Sequence, residues 1–329
     1  MIKKKILIIG GCGYLGTKLT DLLLSYNYDI VCYDAQWFGK NLKNKKIKFI
    51  KDDIKNFKNY SFTNIKTAIH LANIANDVSV EIDPSYSWKV NVLYSKIIAE
   101  KLINDGVKKL IYLSSGSVYG VKKEKKVTED LSLNPISTYN ETKMIAERVF
   151  LSYKEKIKVL CIRPATICGL SRRLRLDLSV NQLTYHAYKK KLITVHGGQQ
   201  IRPNIHINDI SRAILFFIKK KKTQHQIYNI GFENLKILDI AKKIQSKIKC
   251  KIKIEKTIDI RSYRLQSNRL LKEGFKPIFS VNDAINELID FFTNNNFKEN
   301  YLNHNIPVVK RVLRKNSNPY KIWKNKFYK

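Results

Sequence analysis

The 329-residue chain lacks any apolar run approaching the roughly 18 consecutive residues that a membrane helix needs. Its opening, Met1-Ile2-Lys3-Lys4-Lys5, is basic and precedes an apolar run. Glycines interrupt that run almost at once, however, and no small-residue cleavage site follows, so it does not read as a signal peptide. Cysteine is sparse: Cys12, Cys32, Cys161, Cys168 and Cys250 are scattered, with no Cys-x-x-Cys or Cys/His ligand spacing, and the six His are dispersed. Neither a disulfide framework nor a zinc site is indicated. A soluble protein in a reduced, cytoplasmic setting is expected. Internal repeats and low-complexity linkers are absent too.

Acidic residues are also scarce, 27 against 62 basic, for a net charge of +35. Only twelve of the basic residues are Arg; the other fifty are Lys, spread over most segments, with short runs at 189–191 and 219–222. Aromatic residues do not interleave with one basic stripe, as a single-strand binding groove requires. The charge therefore reads as a Lys-, Ile- and Asn-biased composition. It predicts salt-sensitive adhesion to polyanions rather than specific nucleic-acid binding, and it draws anionic substrates toward the surface.

What is present is concentrated near the start. Lys5-Ile6-Leu7-Ile8-Ile9 runs into Gly10-Gly11-Cys12-Gly13-Tyr14-Leu15-Gly16, then into a segment with apolar residues at helical spacing. Strand, glycine turn and helix is the arrangement that holds a dinucleotide pyrophosphate. Gly10 permits the turn, Gly13 admits the phosphates and Gly16 lets helix pack on strand. N–H groups at the helix start, with the positive dipole end, face the anion. The next strand, at 29–34, ends in Asp34. A carboxylate there accepts from both ribose hydroxyls of NAD and repels the 2′-phosphate of NADP, so the reading is NAD.

Strand and helix patterns then alternate. Strands are expected at 47–51, 67–72, 109–115 and 157–162, and helices at 86–104 and 138–153. That rhythm predicts a Rossmann-type doubly wound parallel α/β sheet. After Arg163-Pro164 it changes. Helices are expected at 176–191 and 209–219, the latter capped by Asn208-Asp209, around a strand at 202–207. Further amphipathic helices are expected at 238–248 and 283–292. The domains read as 1–165 for dinucleotide binding, with 198–222 returning to it, and a smaller α/β lobe from 166–197 and 223–304. A basic tail, 305–329, lacks a clear period.

Tyr139 and Lys143 lie four apart, on one face of the expected helix. A tyrosine base must come down from a pKa of about 10, and a nearby ammonium is the natural means. Upstream, Ser114-Ser115-Gly116-Ser117-Val118-Tyr119-Gly120 closes a strand with hydroxyls that can bond a reacting sugar or carbonyl oxygen.

With these residues the chain resembles, from Ile6 to about Phe292, the extended short-chain dehydrogenase/reductase family, specifically its NAD-dependent nucleotide-sugar epimerase/dehydratase group. The resemblance rests on the glycine turn, Asp34, Asp53-Ile54, His70-Leu71-Ala72, the 114–120 run, Tyr139 with Lys143, Arg163-Pro164 and Arg202-Pro203-Asn204-Ile205-His206. It implies Tyr139 as catalytic base and acid. It implies Lys143 on the nicotinamide ribose, depressing the Tyr139 pKa, and Ser115 positioning the sugar's 4-oxygen. Gly10, Gly13, Tyr14, Leu15 and Gly16, with Leu71 and Ala72, would surround the pyrophosphate. Asp53 and Ile54 would meet adenine, and Pro164 would lie against nicotinamide. Ser117, Thr166 and Asn181 are implied on the substrate, and Arg202 and Arg261 as clamps for its diphosphate.

Two departures bear on the chemistry, the first against dehydration and the second leaving the substrate open. Where the family's 4,6-dehydratases carry Asp-Glu after the hydroxyl residue, this chain has Gly116-Ser117, so elimination of water is not expected. Thr166 stands where many 4-epimerases carry Asn. The stretch from Ser171 to Asn181 resembles a subgroup of sugar epimerases and 4-dehydrogenases from surface-polysaccharide gene clusters. The function implied is NAD-dependent epimerisation of a nucleotide-diphosphate sugar at C4 through a 4-keto intermediate. The alternative is a nucleotide-sugar 4-dehydrogenase or 4-ketoreductase in surface polysaccharide biosynthesis. A non-catalytic NAD sensor is disfavoured by the intact Ser115, Tyr139 and Lys143 set. A homodimer through the 86–104 and 138–153 helices is expected by resemblance.

Overall fold

A computed structural model describes residues 5–257 and 262–316. Arg261, expected to clamp a diphosphate, lies outside the described residues.

The first half alternates as its pattern predicts. β1 (Lys5–Ile9) leads to α1 (Tyr14–Ser25), β2 (Asp29–Tyr33), β3 (Ile47–Ile50) and β4 (Thr67–His70). Short helices α2 (Asp77–Val80) and α3 (Pro84–Trp88) precede α4 (Tyr94–Asn104), then β5 (Lys109–Leu113), α5 (Thr138–Leu151) and β6 (Lys158–Pro164). The single helix expected over 86–104 is instead broken by a π-turn at Lys89–Leu93, a local widening that interrupts regular helical bonding. The second half comprises β7 (Thr166–Cys168), α6 (Ser179–Lys190), β8 (Leu192–His196), β9 (Ile201–His206) and α7 (Ile207–Lys219). It continues with β10 (Ile227–Ile230), β11 (Glu233–Lys236), α8 (Ile237–Gln245), β12 (Lys251–Glu255), α9 (Asn268–Lys272), α10 (Val281–Asn294) and α11 (Asn305–Asn316).

Seven parallel strands form the main sheet in the order β10-β6-β5-β4-β1-β2-β3. Side chains alternate across a strand, so Ile6 and Ile8 enter one core while Leu7 and Ile9 enter the other. The first core takes Leu19 and Leu23 of α1 with Ile210 and Ile214 of α7. The second takes Ile98 and Leu102 of α4 with Ala146 and Phe150 of α5. Apolar burial on both faces explains why these strands read as nearly continuous hydrophobic runs.

β10 belongs to this sheet, whereas the sequence placed 223–304 in the lobe. The lobe itself holds a three-stranded sheet, β11-β9-β7, and the pair β12-β8, packed with α6, α8 and α10. α7 starts two residues before the expected position because the His206 ring, not Asn208, caps it: His206 Nδ1 accepts from Asn208 N at 3.1 Å. The segment after Asn305 is not without structure, as its missing period suggested. Residues 305–316 form α11, anchored by buried Val308, Val309 and Leu313.

Candidate active site

The carboxyl ends of β1, β4, β5 and β6 open into a cavity of about 340 Å³, which a second of about 130 Å³ adjoins. Topology puts them there, at the point of the sheet where ligands sit in open α/β folds.

At β1 the chain turns on Gly10, whose φ is +90°. A Cβ at Gly10 would come within 2.5 Å of Ala72 N, and one at Gly16 within 2.5 Å of Gly10 O. Any side chain at either would force the backbone apart. Gly13, by contrast, meets nothing nearer than Gly10 O at 3.5 Å, so its face is open to the cavity. Asp34 accepts from Cys12 N at 2.8 Å through Oδ2 and from Gln36 N at 2.6 Å through Oδ1, bracing the turn as well as bordering the smaller cavity. Burial raises its pKa against those hydrogen bonds. Asp53, Ile54, Leu71 and Ala72 line the same cavity, and Asp53 accepts from the Tyr86 hydroxyl at 3.2 Å. The open glycine turn and acid at the end of β2 fit a dinucleotide.

Ser115, Ser117, Tyr139, Lys143, Pro164, Thr166 and Arg202 all line the larger cavity, with Tyr14, Leu15 and Gly16. Ser115 Oγ lies 2.7 Å from Ser117 Oγ. Burial pushes the Tyr139 phenol up to about 12; Arg175 pulls it back, Asp77 pushes it up again, and a hydrogen bond with Ser115 draws it down. The expected lowering by Lys143 is not what the geometry gives. Lys143 Nζ donates to Leu113 O at 2.6 Å and more weakly to the Tyr112 hydroxyl at 3.4 Å. Burial brings its own pKa down to about 7, opposed by Glu147.

Asn181 is corrected more sharply. It does not line either cavity and is fully buried, with Oδ1 accepting from Gly169 N and Nδ2 donating to Arg175 O and Tyr14 Oη. Its amide is used to fold the 169–175 loop.

Other residues reach the cavity that sequence reasoning missed: Phe38, Asp77, Arg173, Arg175, Tyr263 and Asn305. Asp77 accepts from Ser137 Oγ, and Arg175 pairs with Asp177 at 2.7 Å. The Arg-rich run 172–175 was the available signal, but nothing local said which way each side chain faces.

The model of the NAD dependent epimerase/dehydratase family matches residues 6–231. The chain belongs to that family. It is an NAD-dependent enzyme of the extended short-chain dehydrogenase/reductase type. Among its relatives, a putative UDP-glucose 4-epimerase of Methanocaldococcus jannaschii is 26% identical over 308 residues, covering 88% of this chain and 99% of that protein. Human dTDP-D-glucose 4,6-dehydratase is 26% identical over 353 residues, covering 94% of each chain. A solved UDP-glucose 4-epimerase from Thermotoga maritima, bound to UDP-glucose, superposes with a TM-score of 0.82 over 89% of this chain and all of that one; at 22% identity it shows the shared fold.

Proposed function

We propose that the chain epimerises a nucleotide-diphosphate sugar at C4 through a transient 4-keto sugar. The observation that carries this is the hydroxyl cluster of Ser115, Ser117 and Tyr139 on one cavity wall beside Lys143 and Pro164, without an acid at 116 or 117. Bound NAD would be held by the glycine turn, Asp34 and Lys143, and would supply hydride acceptance and return. The remaining work falls to the chain's own groups. Tyr139 takes the 4-hydroxyl proton and returns it, while Ser115, bonded to that phenol, holds the 4-oxygen. Arg175 offsets by its charge part of the burial that otherwise favours the protonated phenol. Arg202, on the same cavity, suits the diphosphate.

Elimination of water is disfavoured by space as well as by composition. A Cβ at Gly116 would lie 3.0 Å from Pro164 O, so the acid that dehydratases carry there would require this turn to give by a few tenths of an ångström. Relatives named as an epimerase and as a dehydratase are equally identical to the chain, so the choice rests on residues 116 and 117. Pairing of two copies through α4 and α5 belongs to this reading; Leu93, in the turn before α4, is 59% exposed.

Replacing Tyr139 by Phe tests the mechanism. With UDP-, dTDP- and GDP-sugars as substrates, the variant should lose roughly 10²- to 10⁴-fold in turnover while keeping its fold and NAD binding. Undiminished turnover would refute it.

A further inference from the structure

Arg173 sits on the wall of the larger cavity with 4% of its surface exposed. The loop that carries it is strapped onto the start of α1. The Tyr14 hydroxyl donates to Gly169 O at 2.7 Å, Ser171 Oγ donates to Tyr14 O at 2.7 Å, and Thr17 Oγ1 lies 2.6 Å from Ser171 Oγ. Those contacts bring the Arg173 guanidinium over the Phe38 ring, 3.9 Å from its centroid. Phe38, Gly10 and Gly13 line both cavities, and Arg173, packed on Phe38, lines the larger one with them. One guanidinium nitrogen, Nη2, donates to Asn305 Oδ1 at 2.7 Å. Nε is buried and has no hydrogen-bond partner among the described residues. Asp177, the acid acting on Arg173, is already paired with Arg175. Burial, then the like charge of Arg175, brings the Arg173 pKa down to about 9. A buried cation with an unused donor is costly unless an anion arrives to meet it.

Resting on the NAD reading above, we propose that Arg173 is a guanidinium clamp for the dinucleotide's pyrophosphate, oriented for that task by Asn305 at the start of α11. The α1 N-terminus offers backbone N–H groups and a partial charge; Arg173 adds a full charge with planar donors matched to phosphate oxygens. Asn305 is held in turn, its Nδ2 donating to Ala75 O at 3.1 Å and its N–H to Asp177 at 3.3 Å, so α11 becomes part of the cofactor site.

Calorimetric binding of NAD, ADP-ribose, adenosine and UDP to the full chain, freed of endogenous nucleotide, tests this in Arg173→Met and Asn305→Ala. In R173M, NAD and ADP-ribose should weaken by about ten- to a hundredfold, while adenosine and UDP bind as before. N305A should weaken the same two ligands by less. The ligand-free melting temperature of R173M should equal or exceed that of wild type, because an uncompensated charge has gone, while the rise induced by NAD shrinks. A structural role predicts instead a lower ligand-free melting temperature and equal losses for adenosine, and that result overturns the proposal. So does unchanged NAD affinity, or a loss confined to UDP. Wild-type protein that fails to bind NAD would sink the cofactor reading along with it; the other contrary results sink the clamp alone.

Discussion

Lys143 follows Tyr139 by one helical turn, yet its ammonium is held by the backbone carbonyl of Leu113, 2.6 Å away. α5 carries a stripe of three unlike groups at four-residue spacing, half-buried Tyr139 and buried Lys143 and Glu147, and each is met differently. The phenol meets Ser115 and the field of Arg175, the ammonium meets β5, and the carboxylate meets Arg163 of β6.

The Lys143 burial makes stability depend on pH in a definite direction. Its folded pKa of about 7 lies below the ordinary 10.5. The unfolded chain therefore holds more protons between those values, and stability rises with pH across that window. Below about pH 7 the penalty is fully present; above about 10.5 it is gone. Lys143→Met removes it. Denaturant unfolding of the ligand-free proteins should show wild type gaining on the variant, by a few kcal/mol as an order of magnitude, as pH rises from 7 toward 10. A difference flat in pH would contradict the assignment.

Glycines of one turn should separate by phenotype. Gly16→Ala drives a methyl into Gly10 O and Gly11 Cα, so the ligand-free fold should lose stability. Gly13→Ala has room in the protein and should melt near wild type, yet its methyl occupies the open face and should weaken NAD binding tenfold or more, about 1.4 kcal/mol per decade. Melting with and without NAD checks both. Equal behaviour of the two variants would mean that Gly13 does not face the ligand.

Glu147 and Arg163 form a buried bidentate pair, with Arg163 Nε to Glu147 Oε2 at 3.1 Å and Nη2 to Oε1 at 2.5 Å; Arg163 Nη1 also donates to the Tyr119 hydroxyl at 2.7 Å. Glu147→Leu leaves the guanidinium buried without its anion and should cost about 3–5 kcal/mol. The double change with Arg163→Met should recover much of that loss, because the stranded charge is gone. Chemical denaturation of the three proteins gives the comparison.

The parts of the site legible from sequence are those whose geometry is local. The Gly10–Gly16 turn, Asp34 at a strand end, and Tyr139 with Lys143 on one helix face are each set by spacing within one element and its neighbour. Arg173 and Asn305 could not be paired that way, since 132 residues separate them and only docking of α11 joins them. Asn181 shows the reverse. Its place in a family-like segment suggested a ligand, but its side chain turns inward and closes a loop. β10 was misplaced because a four-residue strand at the sheet's edge carries little periodicity. The start of α7 was misplaced because a histidine ring supplied the cap that Asn208 was expected to give.

In the proposed reaction C4 of a nucleotide sugar is oxidised and then reduced by the same bound cofactor. A UDP-sugar deuterated at C4, incubated with the purified enzyme and followed by NMR, tests it most directly. The C4 epimer should appear with the label still on C4 and without accumulation of reduced nicotinamide. Loss of the label to solvent, net reduction of NAD, or release of water from the sugar would contradict it.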